Sequence, residues 1–244
     1  MDMTKPLLLD LFCRMGGSTV GYQRAGFRVI GVDIAPQPGY PGDEFVQADV
    51  IEFLKSGDHR ILAAALRHAG PPCQGQNTAV MTNRKRGIKD EHPALVGPTR
   101  DLLNAIGLPY VIEQPTSSAK GTIRRDVTLC MDMFKGQLPP PWVQKHRSFE
   151  LGGDWPFRRI GATRLGAPQH PKHQGRVRGW RHGECFDGPY VAAYGKATAA
   201  EAAHAMQINW MQRKPTEREN AFDLYEAIPP AYTEWLGGQF LARH

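Results

Sequence analysis

A cysteine that follows two prolines, in Pro71-Pro72-Cys73-Gln74, sits on a stiff loop with few backbone states open to it. A nucleophile that must be held in one place needs such a loop; the ordinary alternative for a free cysteine is a buried structural side chain. Further on, Tyr110, Val111 and Ile112 lead into Glu113. An acid at the end of an apolar strand, partly desolvated, can hydrogen-bond a base and share its proton; the bland reading is a helix cap or a surface acid. Near the N-terminus, Asp10-Leu11-Phe12 runs into Arg14 and the pair Gly16-Gly17. A glycine turn after a first strand lets backbone approach a ligand, and acids after the second and third strands, Asp33 and Asp49, suit ribose hydroxyls and an adenine amino group. An ordinary strand–turn–helix with exposed acids fits those residues as well. Lys145 and Arg147 precede an apolar strand residue and can hold a phosphate or a carboxylate, or form a solvated basic turn.

These groups need elements to position them. Residues 7–12 (LLLDLF), 28–34 (RVIGVDI), 44–48 and 108–113 read as strands, with helical patterns to residue 25, over 50–55 and over 99–106. Residues 61–69 are ambiguous, and a strand ending at Gly70-Pro71-Pro72 is the preferred reading. The alternation predicts an α/β fold, a parallel sheet with helices on both faces. Two helices follow, over 197–206 and 233–241. The predicted division is a catalytic and cofactor-binding domain over 1–151, a short recognition lobe over 152–195, and helices over 196–244 that return to the first domain.

The chain has 244 residues, of which 41% are hydrophobic, enough for a sizeable core. Its net charge is +6. Seven Lys or Arg lie between Leu151 and Cys185, Arg176, Arg178 and Arg181 among them, against Asp154 and Glu184, so the excess is local. A basic patch of this kind favours a polyanionic partner. No apolar run approaches the ~20 residues of a membrane span. The N-terminus has neither the basic flank nor the cleavage site of a signal peptide, and the four cysteines form no disulfide pattern, so a cytoplasmic setting is expected.

Taken in order, these motifs resemble the cytosine-5 DNA methyltransferases, in particular their compact phage and bacterial branch, over nearly the whole chain. Residues 10–17 are similar to that family's first motif, Val32-Asp33-Ile34 to the second, Asp49 to the third, Pro71-Pro72-Cys73-Gln74 to the catalytic motif, Val111-Ile112-Glu113 to the E-N-V motif, and Lys145 with Arg147 to Q-x-R-x-R. The closing segment 226–234 resembles the compact branch. The resemblance implies a Rossmann-like S-adenosylmethionine-dependent sheet with a small basic DNA-recognition lobe. It implies cofactor contacts from Asp10, Phe12, Arg14, Gly16, Gly17, Asp33, Ile34, Asp49, Val50 and Pro71. Catalysis would fall to Cys73, Glu113, Arg147 and Lys145, and contact with double-stranded DNA to Pro72, Gln74, Arg176, Arg178 and Arg181. The target base would be flipped out of the duplex, and the protein would work as a monomer away from any membrane. One RNA-modifying branch keeps the same motifs.

The chain also departs from the pattern. Arg14 replaces the first glycine of the first motif, Gln114-Pro115 replaces Asn-Val, Ala65 stands where an acid is usual, and residues 129–135 (LCMDMFK) lack the expected glycines. Three readings stay open: drift in an active methyltransferase, loss of activity in a DNA-binding homologue, and a changed donor. In the last, Arg14 would pair with the extra carboxylate of carboxy-S-adenosylmethionine and the product would be carboxymethylcytosine. Finally, His170, His173, His182 and Cys185 have the types and spacing of a zinc site, though phosphate or base contacts suit them too, and no metal is assigned.

Overall fold

The computed structural model describes residues 4–73, 93–116, 118, 121–131, 133–134, 142–155, 177–181, 184–186, 190–192, 198–211 and 223–242, with the strands at 142–144 and between 177 and 192 described through their backbone. At the centre lies β1 (Leu7–Leu11), every residue of it buried. Around it, β2 (Arg28–Asp33), β3 (Glu44–Gln47), β4 (Leu66–Ala69), β5 (Tyr110–Pro115), β6 (Val127–Cys130) and β8 (His146–Gly152) complete a seven-stranded sheet in the order β3-β2-β1-β4-β5-β8-β6. The central strands read as continuous apolar runs because both faces of the sheet are covered. On one face Leu8, Leu66 and Val111 pack with Tyr22, Tyr232 and Leu236; on the other, Leu9, Leu11 and Ile30 pack with Phe53 and Leu103. This is the two-residue alternation of a strand.

Pairing is parallel from β3 through β5, as the sequence predicts. The sequence reading did not anticipate β8, which runs antiparallel between β5 and β6. A second correction concerns residues 61–69. Only Leu66–Ala69 is strand; the preceding residues form a short helix, α3 (His59–Ala63), after α2 (Val50–Lys55). The cause is Arg67, wholly buried, whose guanidinium donates to the carbonyls of Ile61 and Ala64 and so satisfies the end of α3.

The first helix, α1 (Gly17–Ala25), lies against the last one, α6 (Pro230–Leu241). In chain order α4 (Val96–Ile106) and α5 (Ala199–Met206) precede α6, and α5 is closed by a capping box from Thr198 and Glu201. Gly21 is what lets α1 and α6 touch: a Cβ there would collide with Thr233 Oγ1 and the carbonyl oxygen of Pro230. In return Thr233 Oγ1 donates to the carbonyl of Ser18 at 2.8 Å. A smaller four-stranded sheet, β10-β9-β11-β7, joins β7 (Trp142–Gln144) to β9 (Val177–Arg181), β10 (Glu184–Phe186) and β11 (Tyr190–Ala192).

The chain leaves β1 and β4 toward opposite sides of the large sheet, so strand order reverses between them. Ligands of open α/β sheets bind at that switch point, outside the carboxyl ends of the strands. Phe12–Gly17 and Gly70–Cys73 are the loops found there.

Candidate active site

The loop after β1 alternates hands. Phe12, Arg14 and Gly16 all have positive φ, at 60°, 45° and 77°. Glycine is needed at the last of these, since a Cβ there would sit 2.6 Å from the ring of Pro41. Left-handed backbone at Phe12 and Arg14 costs each of them roughly 1–2 kcal/mol, so the surroundings must hold the loop in place. Asp33 does much of this. Its buried carboxylate accepts from the backbone N–H of Arg14 at 2.9 Å and of Ala35 at 3.0 Å. Asp10 supports the loop from below, accepting from the hydroxyls of Ser18 and Thr19, both at 2.6 Å. Burial pushes the Asp10 carboxyl up to about 6, against the pull of those hydroxyls. Beside Asp33, Ile34 is 66% exposed, an apolar platform at the mouth of the loop. Asp49 caps α2, accepting from the N–H of Glu52 at 3.0 Å, and Val50 is buried under it.

At the end of β4, Pro71 is buried and Pro72 exposed, and Cys73 is half-buried. Gln114 fixes this loop: its amide donates to the carbonyl of Pro71 at 2.6 Å while its own oxygen accepts from Ser118. The residue that departs from the family pattern is therefore the one that ties β5 to the cysteine loop. Burial raises the Cys73 thiol above its usual value. Glu113 adds to the rise, and Arg147 and Arg14 oppose it. The shift favours the thiol over the thiolate.

Glu113 and Arg147 form a buried ion pair, Oε1 to Nε, of 2.8 Å. They stand diagonally on β5 and β8, where Glu113 pairs with Phe149 and Pro115 with Arg147. The angle is not that of a hydrogen bond, so both atoms keep capacity for one. Desolvation lifts the Glu113 carboxyl to about 6, with Arg147 and Lys145 pulling it back. Such an acid can give or take a proton near neutral pH. Lys145 is wholly buried, and its ammonium donates to the carbonyls of Leu224 and Tyr225 at 3.1 and 2.7 Å. Arg147 reaches the carbonyl of Tyr225 at 3.2 Å. Arg14 turns to the same segment, with ion pairs to Asp223, at 3.5 Å, and to Glu226. Three cations thus converge on residues 223–226.

One pocket joins these parts. Asp10, Phe12, His68, Gly70, Glu113 and Ile228 all line it, so residues of the predicted cofactor site meet the predicted catalytic acid in one space. Its cavity volume is about 60 Å³. Arg14 and Gly17 line it as well. Three contributors escaped the sequence reading: Gln114, His68 on β4 and the segment 223–228. A histidine two residues before Gly70-Pro71-Pro72 was the one signal available.

Several expectations lie outside the described residues: Gln74, Arg176, His170, His173 and His182, together with the side chains of Arg178, Arg181 and Cys185. Among the described residues no cluster of His, Cys, Asp or Glu could hold a metal, and no helix is long and apolar enough to cross a membrane. Among the described residues Cys13, Cys73 and Cys130 form no disulfide.

Strand order, the antiparallel strand between β5 and β6, and the pocket at the switch point define a Rossmann-like methyltransferase fold. In three dimensions the chain is similar to the Dnmt2 methyltransferase of S. pombe, with a TM-score of 0.61 over 98% of both chains at 14% sequence identity. It also matches in part a prophage-encoded protein of E. coli described as a DNA modification methyltransferase, with a TM-score of 0.41 and 18% identity. That match covers 61% of this chain, which spans only 46% of the E. coli protein. No protein-family model matches the chain, and neither does any curated protein sequence.

Proposed function

We propose that the chain is a DNA cytosine-5 methyltransferase using S-adenosylmethionine. The observation that carries the reading is the shared pocket: Asp10 and Phe12 of the glycine turn line the same space as Glu113, which pairs with Arg147 and acts electrostatically on Cys73. The chemistry of the pocket and of the loop beside it suits a nucleoside with a charged tail. A buried carboxylate oxygen of Asp10 has no protein partner, and apolar Ile34 stands exposed beside Asp33. Asp10, Phe12, Gly16, Gly17, Asp33 and Ile34 would hold the cofactor, which supplies an electrophilic methyl group.

The protein's own groups then act in order. A cytosine ring is out of reach inside a duplex, so the base must be extruded into the site. The sulfur of Cys73 bonds to carbon 6 as the thiol passes its proton to water. Ring electrons move to nitrogen 3, where Glu113, near neutral in its titration, delivers a proton. Arg147 holds the Glu113 carboxylate in place as its charge grows. Carbon 5, now electron-rich, takes the methyl group. Loss of the carbon-5 proton to water and return of the nitrogen-3 proton to Glu113 restore the double bond and expel Cys73 as a thiolate, which takes a proton back from water.

Arg14 bears on the choice of donor. Asp223 and Glu226 already hold its guanidinium, and the carboxylate of carboxy-S-adenosylmethionine would have to displace them. This favours the plain methyl donor over the carboxymethyl alternative. The test is an oligonucleotide duplex carrying 5-fluorocytosine, because fluorine cannot leave as a proton does. Wild type should form a denaturant-stable adduct and Cys73→Ala none; structured RNA run in parallel discriminates the two nucleic acids. An adduct that survives the Cys73 substitution would reject the assignment.

A further inference from the structure

Two polar atoms of residues in the pocket wall have no hydrogen-bond partner among the described residues, Asp10 Oδ1 and His68 Nε2. Both residues are buried, at 1% and 0% exposure, and both line the pocket. They stand on adjacent parallel strands, Asp10 of β1 directly paired with His68 of β4. Buried polar atoms in folded proteins are nearly always satisfied. Two unsatisfied ones side by side in a cavity wall point to a ligand that satisfies both.

Their hydrogen-bonding roles can be assigned. The other oxygen of Asp10 is taken by Ser18 and Thr19, so Oδ1 faces the pocket as an acceptor. His68 is neutral, since burial lowers its pKa to about 3. Its Nδ1 lies 3.0 Å from Tyr22 Oη, the hydrogen-bond partner of that phenol among the described residues. Burial and the neighbouring Asp10 keep the phenol protonated. A buried phenol with one receiver for its proton donates to it, so Nδ1 accepts and the imidazole proton sits on Nε2. The wall therefore presents one acceptor beside one donor.

We infer that His68 is a specificity-determining residue of the donor site: its Nε2–H binds the carboxylate of the donor's α-amino-acid end while Asp10 Oδ1 takes the ammonium. An α-amino acid carries those two groups on one carbon, which matches an acceptor and a donor on neighbouring strands. A nucleoside without that end leaves both protein atoms unmet, and a site built around buried polar groups discriminates strongly against such an analogue. The inference rests on the methyltransferase reading and adds a residue that the cysteine, the glutamate and the glycine turn do not account for.

The experiment compares calorimetric binding of S-adenosylhomocysteine with that of 5′-methylthioadenosine, the same nucleoside lacking the amino-acid end. His68→Leu should weaken the first about 10- to 150-fold and leave the second unchanged, the loss of one hydrogen bond to a charged group. Unchanged binding of the truncated nucleoside also reports that the variant is folded. His68→Gln, whose amide N–H reaches the place of Nε2, should recover most of the loss. Tyr22→Phe, which frees the tautomer, should weaken S-adenosylhomocysteine alone and by less; these two variants carry the test if His68→Leu does not fold. Equal losses for both ligands, or no loss for either, overturn the role of His68 and leave the donor reading standing. Failure of wild type to bind either nucleoside overturns the donor reading and this inference with it.

Discussion

Burial of His68 makes a prediction about acid stability that needs no ligand. The folded value of about 3 lies below the ordinary 6.5 of histidine. Above pH 6.5 neither state carries the proton, and the group does not contribute to pH dependence. Below it the unfolded chain takes the proton while the folded chain refuses it, so stability is lost progressively down to about pH 3. At about pH 4.5 the loss spans two pH units, or about 3 kcal/mol. Asp10 and Glu113 work in the opposite direction. Their folded values of about 6 lie above the ordinary carboxylate range, so each favours the folded state as pH falls toward 4. Wild type alone therefore gives a blurred profile, and the measurement has to be a difference. Urea unfolding of wild type and His68→Gln at pH 7.5 and 4.5 provides it, since both carboxyls are common to the two chains. The stability difference should shift toward the variant by about 3 kcal/mol on acidification, about 1 M or more in the urea midpoint. A difference that is the same at both pH values would mean that the imidazole titrates as if in water. That result would refute its burial and with it the assignment of Nε2 as a donor.

Cys73→Ser should abolish turnover on duplex DNA yet leave DNA affinity within about twofold, since the lost bond forms only to a flipped base; nucleoside mass spectrometry and a gel-shift titration check the two halves. Asp33→Ala should weaken S-adenosylhomocysteine by roughly 1–3 kcal/mol, because the carboxylate that orders the Arg14 and Ala35 amides is removed; equal affinity by calorimetry would take Asp33 out of the site. Gly21→Ala should lower stability by about 1–3 kcal/mol despite its better helix propensity, because the methyl group must push α1 away from α6; an unchanged melting temperature would contradict that contact. Neutralising Arg176, Arg178 and Arg181 together should flatten the salt dependence of DNA binding by up to about three units of slope; weaker binding at constant slope would point away from phosphate contacts.

The strand–helix rhythm of the first half was legible because central parallel strands are apolar on both faces and stand out in any window. Residues 7–11, 28–33 and 44–47 fall where the pattern puts them, and Cys73 follows β4, whereas Glu113 lies within β5, which runs on to Pro115 rather than ending at the acid. Two things were not legible. Residues 61–69 divide into helix and strand because of Arg67, a charge that looks like a surface residue until its partners at Ile61 and Ala64 are known. The convergence of Arg14, Lys145 and Arg147 on residues 223–226 depends on contacts between segments far apart in sequence, and no periodicity encodes such contacts. Gln114 reads as a defect in a motif until its bond to Pro71 gives it work.

That convergence also sets a clock on synthesis. The glycine turn is synthesised before the segment that completes it, so a nascent chain holds the cysteine loop, the acid and the basic side chains before residues 223–241 arrive. Until then Lys145 lacks the carbonyls of Leu224 and Tyr225, Arg14 lacks Asp223 and Glu226, and α1 lacks the helix that covers it. Assembly of the pocket is thereby deferred until residues 223–241 have been made, and a message cut short upstream of them yields a chain that has Cys73 and Glu113 but no completed pocket.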